Sequence, residues 1–158
     1  MNDTRRKFGT PRRRTPSRWR WFRLDELESR WLLASFLVTS TGDGVDADPS
    51  DMICDDGAGA CTLRAAIEQA NADAGTDTIG FRIPGAGPHT IQPVSPLPFI
   101  IDSVVLDGTT QEGFAGRPVI ELDGSAAGTG PAGLQITAGN STVRGLVINR
   151  FAFDGLTL

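Results

Sequence analysis

The chain has 158 residues, with fifteen Lys or Arg against nineteen Asp or Glu, a formal net charge of −4 and a single histidine. Nineteen Gly, ten Pro, no Tyr and few long helical patterns suit a turn-rich β protein. No apolar run is long enough to span a bilayer. Charge divides the chain sharply. Residues 1–34 carry ten basic side chains and four acids, whereas residues 35–158 carry five and fifteen.

The N-terminal 35 residues read as a basic leader. Arg5, Arg6, Lys7, Arg12, Arg13, Arg14, Arg18, Arg20 and Arg23 precede an apolar run from Trp31 to Val38, at the short limit of a signal-peptide hydrophobic region. A nucleic-acid-binding arm is the rival, with Trp19, Trp21 and Phe22 as stacking groups among the arginines. The acidic remainder would repel phosphate, and no recognised nucleic-acid module follows, so export is the favoured reading and no nucleic-acid partner is expected. Leu27, Glu28, Arg30, Leu32, Leu33 and Ala34 resemble the LEPR-XLL motif, an N-terminal element of some large bacterial surface proteins, with Ser29 where that motif has Pro. The resemblance implies export.

Residues 36–77 form an acidic cysteine loop and a helix. Cys54 and Cys61 are the only cysteines, and with His89 far away they lack the four ligands of a structural zinc site. A disulfide is the better reading, and closing its loop contributes about 2.5 kcal/mol on the chain-entropy model. Around it lie Asp43, Asp46, Asp48, Asp51, Asp55 and Asp56. Such crowded carboxylates suit Ca²⁺, the one cofactor worth weighing, but the spacing is not that of an EF-hand loop. A solvated acidic loop is the alternative.

The helix expected after Cys61 places Leu63, Ile67, Ala70 and Ala74 on one narrow apolar face, with Arg64, Glu68, Gln69, Asn71 and Asp73 on the rest. Thr62 can cap its start and Gly75 its end. The stretch C-T-L-R-A-A-I-E-Q-A-N, from Cys61 to Asn71, resembles the C-S-L-R-E-A-I-x-x-A-N signature of the CSLREA domain, with Thr62 for Ser and Ala65 for Glu. That domain stands at the start of bacterial secreted right-handed parallel β-helix proteins of the pectin-lyase-like type. Leu106–Ser125 and Asn140–Phe151 are similar to the first coils of such proteins. The resemblance therefore implies a mainly β fold, a right-handed parallel β-helix whose N-terminal coils are capped by this short helix.

Residues 78–158 supply the strands of that expectation: 78–83, 90–94, 103–106, 119–122, 134–137, 142–148 and 154–158, separated by Gly-rich turns. Val104, Leu106, Val119, Ile120, Leu122, Leu134, Ile136, Val143, Leu146 and Ile148 are the expected interior, with Asn140 and Asn149 at turns. Leu106-Asp107-Gly108 recurs as Leu122-Asp123-Gly124. Asp107, Glu121 and Asp123 offer paired carboxylates for a carbohydrate-active alternative, beside Arg117, Arg144 or Arg150. Asp before Gly at a strand end also commonly bonds its own turn, and the arginines fit solvent-facing strand positions.

The pattern stops within F-D-G-L-T-L without a visible cap, which predicts a piece of a longer protein or end-to-end self-association, against a compact domain that closes on itself. The expected protein is an exported, secreted or cell-surface module with a structural, adhesive or glycan-binding role and no catalytic residue in this stretch. Its expected partners are surface polysaccharide or other surface proteins. The alternative is the N-terminal part of a polysaccharide lyase or glycoside hydrolase of pectin-lyase-like fold.

Overall fold

The computed structural model describes residues 33–130 and 132–158. The expected leader, its LEPR-XLL-like stretch and Trp19, Trp21 and Phe22 lie outside the described residues, apart from Leu33 to Ser35. The chain begins with strand β1 (Ser35–Val38), runs through a long irregular loop to helix α1 (Leu63–Ala72), and continues as β2 (Asp77–Phe81) and β3 (His89–Ile91). There follow β4 (Val104–Asp107), β5 (Ile120–Asp123), β6 (Leu134–Gln135), β7 (Thr142–Arg144), β8 (Leu146–Asn149) and β9 (Leu156–Thr157).

Every pairing is parallel. One sheet has the order β1-β2-β4-β7, a second β3-β5-β8 and a third β6-β9. Register follows the side chains that must be buried. Ile79 pairs with Leu106 and Leu106 with Val143, while Ile120 pairs with Leu146 and Leu122 with Ile148. Because strand side chains alternate, this register sends one apolar row of each sheet to a shared core. Val104, Leu106, Ile120, Leu122, Leu134 and Ile136 are buried as the sequence predicts, whereas Val119 is half-buried. Val143, Leu146 and Ile148 pack against that core while only partly buried.

The expectation of right-handed parallel β-helix coils is corrected here. The strands are only two to five residues long and fall into three small sheets of four, three and two strands, and no long solenoid is present among the described residues. Gly and Asp end the strands early. Asp107 and Asp123 each terminate a strand and cap a 3₁₀ turn, at Gly108–Thr110 and Gly124–Ala126. The two glycines that start these turns are sterically required. A Cβ on Gly108 would run into the carbonyl oxygen of Gly145, and one on Gly124 into the ring of Phe151. The mainly β class and the single short helix stand. The expected strand over 142–148 is two strands, broken at Gly145, whose φ of +71° is left-handed.

Helix α1 departs from its expected two-faced pattern. Leu63, Ala66, Ile67 and Ala70 join the core with Phe36, Val38, Ile79, Phe81 and Ile83, but Arg64 and Gln69 are buried too. Thr62 caps the helix through its hydroxyl, which accepts from Ala65 N at 3.0 Å and donates to the Gly44 carbonyl at 2.6 Å. The helix ends at Asp73 rather than at Gly75. Arg64 donates to both oxygens of Asp43 at 3.0 Å, and also to the carbonyls of Ser95 and Pro96 at 3.0 Å.

Replacing Arg64 by Ala leaves the half-buried Asp43 without its partner and two loops untied. The expected loss in urea unfolding is about 3–5 kcal/mol. Arg82→Ala, an exposed side chain in no ion pair among the described residues, is expected to change stability by less than about 0.5 kcal/mol. Similar losses for the two variants would show that Arg64 does not hold the loops.

Candidate functional site

The acidic loop is built by carboxylates that turn back on their own backbone. Asp46 Oδ1 accepts from Asp48 N, Asp48 Oδ1 from Ser50 N, and Asp51 Oδ1 from Ile53 N, at 2.8–3.1 Å. Asp55 Oδ1 accepts from Gly57 N and Gly59 N, and Asp56 Oδ1 from Ala58 N and Ala60 N. These are side-chain turns of the kind Asp forms readily. Asp43 is taken by Arg64 and by the Val94 N–H at 2.9 Å. The six expected Ca²⁺ ligands thus share a loop but are not gathered. Among the described residues no group of three or more His, Cys, Asp or Glu is placed to hold a metal. Cys54 and Cys61 close the loop as a disulfide, with their Cα atoms 5.1 Å apart.

Two of the three carbohydrate-active candidates come together. Glu121 and Asp123, two residues apart on β5, face the same side of their sheet and share Arg150: Nη2 lies 2.8 Å from Glu121 Oε1 and Nε 2.9 Å from Asp123 Oδ1. Glu121 also accepts from Thr90 at 2.9 Å and from Asn149 at 2.9 Å. Asp107 lies on β4, in the other sheet, where Arg144 pairs with its Oδ2 while Oδ1 accepts from the amide and hydroxyl of Thr109. Asn149 lies at the end of β8 rather than in a turn, while Asn140 does sit in a turn, at a φ of +61°.

This bonding sets the charge state of all three. Hydrogen bonds from Arg150 and the Ser125 amide hold the Asp123 carboxyl down to about 2. Those from Asn149 and Thr90 lower Glu121, and that from Arg144 lowers Asp107. Each is an anion at neutral pH. A glycosidase pair needs one member that keeps its proton, and a hydrophobic or like-charged setting to make it do so. In all three the hydrogen bonds outweigh burial, and in Glu121 also the like charge of Asp123.

A cleft of about 990 Å³ opens on another side, lined by Gly85, Gly87, Pro88, Glu112, Arg117 and Pro118. Glu112 and Arg117 are exposed and form no ion pair among the described residues. Beneath Gly87 lies His89, which is buried beside Gln111. Gln111 Oε1 accepts from Ile83 N and its Nε2 donates to Ile83 O, both at 2.8 Å, and that fixes the amide. Nε2 then faces His89 Nε2 at 3.2 Å, so the imidazole accepts there. His89 and Gln111 thereby pin the base of the loop that forms one wall.

No protein-family model matches the chain, and neither a characterised protein nor a solved structure shows a significant match to it. The site is therefore read from its own chemistry. Sequence reasoning missed Gln111 and the arginine cleft as a unit, because the cleft joins two loops that share no motif. The recurrent Leu-Asp-Gly triplet did signal the Asp-capped turns.

The shifted carboxylates predict an acid-side loss of stability. Asp107, Glu121 and Asp123 hold protons less well folded than unfolded. Their contribution is therefore present above the ordinary carboxylate range and is lost as pH falls toward about 2. Asp46 and Asp77, raised chiefly by burial, act in the opposite sense and lose their contribution as pH rises. Melting temperature followed from about pH 5 to about pH 2 is expected to fall, and to fall less steeply in Arg150→Met. An unchanged slope in that variant would contradict the assignment.

Proposed function

We propose that this chain is an exported cell-surface module with a structural, adhesive or glycan-binding role and no catalysis in its described residues. The observation that carries this reading is the Cys54–Cys61 disulfide, because such bridges persist in oxidising compartments. The resemblances of Leu27–Ala34 to the LEPR-XLL motif and of Cys61–Asn71 to the CSLREA signature support the same compartment. No helix among the described residues is long and apolar enough to cross a membrane.

The cleft beside Arg117 is the favoured place for a ligand on this reading. Its volume is within the range of small-molecule sites. A free guanidinium presents a fork to a carboxylate, and Glu112 can accept from hydroxyl groups. Surface polysaccharides or other surface proteins are the corresponding partners. A Ca²⁺ ion at the acidic loop would have to compete with backbone N–H groups at Asp48, Asp51, Asp55 and Asp56, and the proposal assigns it no part. The alternative, an N-terminal part of a polysaccharide lyase or glycoside hydrolase, would draw its catalytic residues from beyond this stretch, since Asp107, Glu121 and Asp123 do not supply a glycosidase acid that keeps its proton.

Two measurements test the proposal. A thiol count on the unreduced native protein is expected to find no free cysteine, and reduction to lower stability by about 2.5 kcal/mol. Two free thiols would remove the argument for export. Acidic polysaccharide is expected to bind saturably without release of reducing or unsaturated ends, with affinity falling about tenfold in Arg117→Ala. Turnover would establish the enzyme alternative.

A further inference from the structure

The described residues contain one fully buried carboxylate without a counter-ion. Asp77, the first residue of β2, is 0% exposed, and its Oδ2 has no hydrogen-bond partner among the described residues. Its Oδ1 accepts a single bond, from the backbone nitrogen of Ala34 at 2.9 Å. Two further acids bear on it through their charge. Asp73, at the end of α1, also has a buried Oδ2 without a partner, and Asp102, just before β4, accepts from Gly75 N and Ser103 N. Burial, together with the charges of Asp73 and Asp102, pushes the Asp77 carboxyl up.

No described Arg or His forms an ion pair with any of the three. The described residues include no lysine. A buried carboxylate is costly unless paired and fully bonded. Among the described residues it lacks a cation, and the nitrogen already in contact with it is that of Ala34.

As part of a peptide, that nitrogen carries one hydrogen and no charge. As a chain start it carries three hydrogens and a positive charge. Leu33, on the other side of the bond in front of it, is 73% exposed, and β1 begins one residue after Ala34, whose carbonyl accepts from Thr78 N at 2.9 Å. We infer that Asp77 is the receptor for the α-ammonium of a chain beginning at Ala34, released when a processing peptidase hydrolyses the Leu33–Ala34 bond. Water adds across that bond. Leu33 departs with the new carboxylate, and the Ala34 nitrogen takes up protons to become an ammonium group. The ammonium keeps its contact with Asp77 Oδ1, so the cut converts a neutral contact into an ion pair that fastens β1 to β2.

The occurrence of this cut in the cell rests on the export reading, but its chemistry is testable without export. In the full chain, R30I/W31E/L32G/L33R installs a site for a protease that cuts after Ile-Glu-Gly-Arg, leaving Ala34 first. Cutting is expected to raise the melting temperature at pH 7 by about 5 °C. In the same chain with Asp77→Asn, which keeps the shape and an acceptor for Ala34, cutting is expected to give less than about 1 °C.

A second readout isolates the amine. The cut product contains no lysine, so its α-amine is its one primary amine, and acylation reports it alone. Acylation is expected to be about tenfold slower with Asp77 than with Asn, as for an amine whose pKa is raised by one unit. Equal thermal gains with and without Asp77, or equal acylation rates, would overturn the inference. So would a mature chain from an exporting host that begins at Ser35 or elsewhere. Retention of the chain inside the host would instead count against the export reading and leave the receptor to be judged on the thermal gain and the acylation rate.

Discussion

The Arg64–Asp43 pair is the interaction on which the rest of the structure depends. A ten-residue helix is marginal in water, and the segments before it and between β3 and β4 are long and irregular. Arg64 resolves both difficulties, because one guanidinium holds Asp43 in the first loop and Ser95 and Pro96 in another. The other polar residues of α1 act in the same way. Glu68 accepts from Asp46 N at 2.7 Å, Gln69 donates to the Pro49 carbonyl at 3.0 Å, and the Asn71 amide bonds both Phe99 O and Ile101 N. Loop backbone that turns away from water needs partners, and here the helix supplies them. The desolvation of Arg64 is offset by its two bonds to a carboxylate and its bonds to carbonyls, the condition under which a buried ion pair is tolerated.

The acidic character of the chain has a related origin. A carboxylate is an acceptor that can serve two backbone N–H groups at once, and Asp55 and Asp56 each do so within four residues. Asp107 and Asp123 end their strands by the same device. Turn formation thus accounts for most of the aspartates that first suggest metal or acid–base chemistry. The features that remain after this subtraction are few: the free Arg117–Glu112 cleft and the unsatisfied oxygens around Asp77.

How much of this was legible in the sequence depends on whether the signal is local. The Thr62 cap, the disulfide, the Asp-Gly turns and most of the apolar core positions are local and were readable. The role of Arg64 was not, because helical periodicity assigns a charged residue to solvent and says nothing about loops that return from 21 and 32 residues away. Ser35–Val38 was taken into the apolar end of the leader, yet it is a strand whose partner begins at Asp77. The extended coil architecture followed from resemblance and alternation, which describe each strand but not how many sheets result or how far they extend. The Asp77 receptor had no local sign at all, since an Asp opening a strand looks like any other turn residue.

The carboxylates fall into two electrostatic classes, and the division follows their partners. Asp107 and Asp123, buried like Asp46, and the half-buried Glu121 are paired with arginines that remain more than half exposed. Screening makes such pairs modest contributors to stability, so their main effect is to align β7 and β8 with the strands beside them. Asp46 and Asp77 are buried with an oxygen left over, and burial without a full set of partners works against folding. Asp46 repays part of this through the turn it forms with Asp48. Asp77 has only the Ala34 amide, a neutral donor beside a carboxyl that burial pushes toward its protonated form. That leaves an unmatched polar atom beside the pairing of β1 with β2, where a single added positive charge would have a partner.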